Sequence, residues 1–225
     1  MDPRLLEAYE RVGGIAVICI IKKELRYRLG YLPLSLLVFY LCNRVYESYD
    51  TLEFSYFLLP LILCGILFRS ESEIELIRVS NTRLCNVLLA RYFITYAYLS
   101  FPPAVWLLFR GGERAPREAL TLITTLLFVT SISLLLRVLI KSPYGTVLFS
   151  LLAHAILTVS VKVFLSQTLK LTNPKAIQRF SPFFANTITN RGVYGNNRLI
   201  VLGATVFLIS LSYLLAWRAD NFLKE

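Results

Sequence analysis

Few residues in this chain could do chemistry, and they sit in unusual company. The single histidine, His154, lies in the middle of the apolar run LLAHAIL. With no second ligand nearby, it reads as an interhelical hydrogen-bonding group ahead of a proton relay. The four cysteines, Cys19, Cys42, Cys64 and Cys85, share no CxxC spacing, so neither a zinc site nor a redox pair is suggested. Thr121, Thr124, Thr125, Thr130, Ser131 and Ser133 crowd hydroxyls into one otherwise apolar stretch. Such residues either line a polar pathway or bond back to their own helix, and packing is the plainer of the two. Thr124, Thr125, Ser131 and His154 are the candidate pathway residues. A second cluster, Glu71, Glu73, Glu75, Arg78 and Arg83, lies between apolar runs. Glu71, Glu75 and Arg78 share one face at helical spacing, which describes either a solvated loop or a short amphipathic helix that docks into another protein. No phosphate loop, HExxH, GxSxG or GxGxxG occurs, and no pair of carboxylates lies inside an apolar run. The chain therefore lacks its own ATPase motifs and the usual ion-coupling carboxylates.

The elements that must position these groups are membrane helices. Of 225 residues, 56% are hydrophobic and only 17% charged, with a mean hydropathy of +0.60. A soluble domain carries about 25% charged residues, so lipid is the expected solvent. Six spans are predicted: Tyr31–Val45, Leu52–Phe68, Val87–Phe109 (interrupted by Pro102-Pro103), Ala119–Ile140, Thr146–Leu165 and Leu199–Trp217. The expected fold is an all-α integral membrane protein, one membrane-spanning domain over residues 1–225. It comprises an interfacial N-terminal helix (1–30), a six-span core (31–217) and a cytoplasmic tail (218–225). Arg91 and Arg137 lie about a turn inside span ends, placed to snorkel. The stretch Lys162–Arg198 reads as an external loop, broken by turn residues, with Phe183-Phe184 dipping into the membrane as short helices.

The net charge of +10 does not point to nucleic acid, because the basic residues fall between apolar runs, where they meet lipid headgroups and set topology. With the N-terminus inside, 14 of the 24 basic residues are cytoplasmic.

The order of elements resembles the permease subunits of ABC transporters of the type-2 exporter class. IIKKELRYRL (Ile20–Leu29) looks like that family's amphipathic connecting helix, and Glu71–Leu84 like its coupling helix, with Glu75-Leu76 as the Glu-Leu signature. Ser181-Pro182-Phe183 is similar to its external segment, and Leu214–Glu225 to its short basic tail. The chain departs from the family in having Glu73-Ile74 before the signature and no proline in Val79–Thr82. The resemblance implies a dimeric pathway formed with an identical or related permease, and two cytoplasmic ATPase subunits that carry ATP-Mg and grip Glu71, Glu73, Glu75, Arg78 and Arg83. This chain itself would bind no cofactor, and the permease would be a multi-pass protein of a bacterial cell membrane with both termini cytoplasmic. The competing reading is a non-transporting scaffold or immunity subunit of a larger membrane complex.

Orientation is directly testable. A cysteine placed at Ser48 should react with an impermeant maleimide outside intact cells, as should Cys42 if accessible, and Cys85 only after permeabilisation. The reverse pattern would put the N-terminus outside.

Overall fold

In a computed structural model, residues 22, 24–26, 28–45, 49–65, 84–140, 142–168, 182–183, 188 and 190–222 are described. Among them there is no strand, and six long helices follow one another: α1 (Tyr31–Val45), α2 (Tyr49–Gly65), α3 (Leu84–Arg110), α4 (Ala115–Leu139), α5 (Pro143–Thr168) and α6 (Arg191–Phe222). α3, α4, α5 and α6 are long and apolar enough to cross a membrane. α1 and α2, at 15 and 17 residues, are shorter. The proposed coupling segment and most of the interfacial N-terminal helix lie outside the described residues.

The surface identifies the solvent. Along α5 the buried positions are Thr146, Ser150, His154 and Thr158, four residues apart, while Tyr144, Leu148, Leu152, Ile156 and Val159 face outward. On α6, Asn197, Arg198, Thr205 and Ser212 are buried, and Leu199, Val206, Phe207 and Leu214 are exposed. A helix in water shows the opposite arrangement. Leaving one large apolar side chain in water forgoes roughly 1.5–3 kcal/mol, so outward faces of this kind belong against lipid. This is the build of a multi-pass membrane protein.

α4 is the axle. It packs against α2, α3, α5 and α6, and 61% of its apolar window is buried, against 39% for α3 and 22% for α5 and α6. Its register against α3 is set by two tyrosines one turn apart. Tyr92 donates to the Leu127 carbonyl at 3.2 Å and Tyr96 to the Ile123 carbonyl at 3.0 Å. A step of four along α3 meets a step of four back along α4, as antiparallel helices require. The two helices join through Gly111 and Gly112, at φ 73° and 105°, a left-handed turn that glycine adopts without a Cβ clash.

Pro102 and Pro103 do not interrupt α3, contrary to the sequence expectation: the helix runs unbroken from Leu84 to Arg110. Each proline lacks the N–H that would bond four residues back, which frees the carbonyls of Tyr98 and Leu99. Neighbouring helices take up both. Ser35 of α1 donates its hydroxyl to the Tyr98 carbonyl at 3.1 Å, and Tyr56 of α2 donates to the Leu99 carbonyl. A freed carbonyl in hydrocarbon must find such a donor. α3 therefore passes its prolines intact and is gripped there by α1 and α2. Phe39 supports the grip, meeting Tyr56 and Trp106 edge-on at 5.2 and 5.6 Å.

Two further corrections concern ends. The loop expected over Lys162–Arg198 is shorter, because α5 reaches Thr168 and α6 starts at Arg191. Asn190 caps α6, its Oδ1 accepting from the N–H groups of Gly192 (2.9 Å) and Val193 (3.1 Å). Gly192, Gly195 and Asn196-Asn197 are helical despite being turn-forming types. Cys85 is fully buried, so it will be silent from either side, which leaves Ser48→Cys as the informative topology probe.

A double-mutant cycle tests the proline grip. Tyr56→Phe should destabilise the chain by about 1 kcal/mol. In a Pro103→Ala background, where an N–H is again available to Leu99, the same change should cost markedly less. Thermal unfolding of the four proteins in lipid nanodiscs gives the coupling, and equal costs in both backgrounds would refute it.

Candidate functional site

Two buried clusters lie in the bundle, one on the first half of α3 and the other on the first half of α4 and the first turns of α6, and a polar seam continues toward the end of α4. The first lies where α3 begins. Glu24 is 6% exposed and bridges two arginines: Arg28 Nε lies 3.0 Å from Oε2, and an Arg91 terminal nitrogen 2.8 Å from Oε1. Arg28 also donates to Thr95 Oγ1 at 2.9 Å, and its guanidinium stands over the Tyr31 ring. Glu24 and Arg28 stand four residues apart, as do Arg91 and Thr95. Two one-turn pairs thus meet face to face and fasten the N-terminal turn to α3. Arg91 does not snorkel as its place in the sequence suggested. Its carboxylate partner is inside the fold, which removes the reason to reach for the surface. Arg137 is likewise buried, and donates to the Ile140 carbonyl at 3.1 Å.

The second cluster lies where α4 and α6 begin. Arg198, 4% exposed, donates to Thr124 Oγ1 and Thr125 Oγ1, each at 2.9 Å, and to the Pro182 carbonyl at 3.1 Å. Its Nε is 2.9 Å from Asn197 Oδ1. Thr125 donates to the same Pro182 carbonyl at 3.0 Å. The Tyr194 ring lies between two guanidinium groups, Arg117 at 4.3 Å and Arg198 at 5.8 Å. Its hydroxyl meets Thr121 Oγ1 at 2.9 Å, and Arg117 donates to the Ile188 carbonyl.

Toward the end of α4 and the start of α5, the two helices face each other with hydroxyls. Ser150 donates to Ser133 at 3.0 Å, and Thr146 to the Ile140 carbonyl at 3.2 Å. His154 sits at the upper end of this seam, its ring 6.1 Å from Phe57 and 5.5 Å from Phe183.

The four candidate pathway residues are all buried inside the bundle of one chain. Thr124 and Thr125 come together on Arg198, while Ser131 bonds back to the Phe128 carbonyl at 2.7 Å and is apart from them. His154 meets Phe183, whose neighbour Pro182 is Arg198's acceptor. Glu71, Glu73, Glu75, Arg78 and Arg83 lie outside the described residues. Sequence reasoning missed Arg198, Arg117, Tyr194 and Glu24. For Glu24 the signal was readable, since its i, i+4 pairing with Arg28 is favourable on a helix. For Arg198 no local signal existed, because its partners are some 70 residues away on α4.

Comparison with protein-family models, with curated proteins and with solved structures finds no match. The chemistry of the site therefore speaks for itself. Hydroxyls, guanidinium groups and carbonyls in this arrangement hold α4, α6 and Pro182 together.

Glu24 carries the sharpest stability test. Glu24→Gln leaves two buried guanidinium groups without their shared carboxylate, and breaking a buried pair from one side costs about 3–5 kcal/mol. The thermal midpoint should fall accordingly, and the exchange Glu24→Arg with Arg91→Glu should recover part of the loss. No drop in Glu24→Gln would mean the cluster contributes nothing.

Proposed function

We propose that the chain is the permease subunit of an ATP-driven exporter of the ABC type-2 class, with all six helices crossing a bacterial cell membrane and both termini in the cytoplasm. The observation that carries the reading is the Glu24–Arg28–Arg91 cluster, which ties the N-terminal turn to α3, the helix entered directly from the charged segment 69–83. Force applied to that segment by an ATPase would pass into α3 and the N-terminal turn together. Through Tyr92 and Tyr96 it would reach α4, which packs against α2, α5 and α6 as well. Supporting it are the alternation of six helices, the outward apolar faces, and a segment between α5 and α6 that enters the bundle.

Two ATPase subunits would bind ATP-Mg and close on the Glu71–Arg83 segments of two permeases, identical or related. The hydroxyl-bearing residues Thr124, Thr125 and Ser131, with His154, would serve the pathway from inside each subunit, by setting how α4 moves against α5 and α6. The resemblance in element order supplies the class, and the cargo is one that a compact permease can pass without a large outer domain.

The test is co-purification. Glu71→Lys with Glu75→Lys sets like charges against the ATPase, and like-charge juxtaposition across an interface costs several kcal/mol. Recovery of the ATPase should fall roughly 100-fold at ~1.4 kcal/mol per decade, while the permease inserts at normal levels. Lysines at Glu47, between α1 and α2, and at Asp50, in the first turn of α2, should leave the partner bound. Equal recovery in every variant would remove the docking role, and a complex without ATP-dependent transport would favour the scaffold reading.

A further inference from the structure

Between α5 and α6, Pro182 and Phe183 lie inside the bundle. Thr125, which binds the Pro182 carbonyl, lies about 15 Å along α4 from its start, at ~1.5 Å per residue. Pro182 and Phe183 are non-helical, so irregular backbone sits about halfway through a ~30 Å hydrocarbon core. Backbone of that kind is tolerated at such depth only where protein buries it or where it lines a hydrated cavity. Here protein buries it: Phe183 is 2% exposed and belongs to the central core with Phe39, Tyr56, Phe57, Leu61 and Leu126.

What holds the segment differs from what it covers. The hold is polar. The Pro182 carbonyl accepts from both Arg198 and Thr125, and the Ile188 carbonyl accepts from Arg117. The covered groups are polar as well. Phe183 lies edge-on against His154, and below His154 the α5 stripe continues through Ser150, which bonds Ser133, to Thr146 beside Ile140. The seam reaches from mid-bundle to the opposite end, and an apolar ring closes its top. Core packing alone would need no arginine beneath the stopper, since a hydrophobic side chain is held by area. A charge-assisted bond to a single carbonyl instead provides a contact that can be made and broken as a unit.

We propose that Pro182-Phe183 is a releasable plug. Arg198 and Thr125 latch its carbonyl, Phe183 stoppers the polar seam above His154, and unlatching opens that seam to water from the end of the bundle where α4 and α6 begin. The device belongs to the single chain and needs no ATPase, so it stands or falls separately from the transporter reading.

Thiol accessibility in nanodiscs tests it. His154→Cys, in a chain whose native cysteines are replaced by alanine, places a reporter under the plug, and a charged methanethiosulfonate is the probe. With the latch intact the reporter should be nearly silent. Phe183→Ala removes the stopper without touching the latch, and Arg198→Met removes the latch without touching the stopper. Each should raise the labelling rate at least ~10-fold, the population shift expected when a hydrogen bond to a charged group is lost. Thr125→Val, which leaves Arg198 in place, should give a smaller rise of about 2-fold or more, on the scale of a neutral hydrogen bond. In a parallel chain that keeps His154 and has Cys64, buried in α2, as its one cysteine, that thiol should stay unreactive in every variant, which separates release from unfolding. If Arg198→Met does not insert, Phe183→Ala and Thr125→Val decide the matter. Unchanged labelling in those two would overturn the proposal, as would a rise matched by position 64.

Discussion

Hydrocarbon offers no hydrogen bonds, and the architecture follows from how each polar group finds a partner without water. The case of α3 shows it most directly. Two consecutive prolines withdraw two donors from its ladder, and a soluble helix would let water satisfy the carbonyls left behind. Here Ser35 and Tyr56 do so from α1 and α2, so a potential break becomes the point at which three helices are joined. The same requirement explains why the tyrosines of α3 end on carbonyls of α4, and why the hydroxyls of α4 and α5 turn inward rather than outward. The polar interior and apolar exterior are two consequences of one solvent.

The ion clusters apply this constraint to charge. A buried guanidinium is costly unless its donors are matched, and the two clusters match them differently. At Glu24 a carboxylate is shared between arginines from two elements, which joins them by charge. At Arg198 the partners are neutral hydroxyls, an amide oxygen and a main-chain carbonyl, which hold Pro182 without committing a counter-charge.

α4 packs against α2, α3, α5 and α6 and carries hydroxyls along its length. Several of these bond back to its own carbonyls, Thr124 to Leu120 and Thr130 to Leu126 among them. Such bonds cost the helix little and leave oxygens available as acceptors. Thr124 uses its oxygen to accept from Arg198. A hydroxyl-rich axle can therefore exchange neighbours at small energetic cost, which a leucine-packed one could not.

The amino-acid sequence by itself determined the solvent, the helical class and the existence and approximate extent of six helical elements. Each rests on local composition: a run is apolar or it is not, whatever lies across from it. It also marked Thr124, Thr125, Ser131 and His154 as polar groups in apolar company. Tertiary structure alone decided what those groups touch. Whether Pro102-Pro103 breaks α3 depended on donors at Ser35 and Tyr56, and whether Arg91 snorkels depended on Glu24, 67 positions away. Arg198 looked like one basic residue among several in a loop, until Asn190 capped a helix there and turned it onto Thr124 and Thr125. Hydrophobic periodicity is a property of neighbours in the chain. Polar satisfaction in lipid is a property of neighbours in space, and only the packed bundle brings those together.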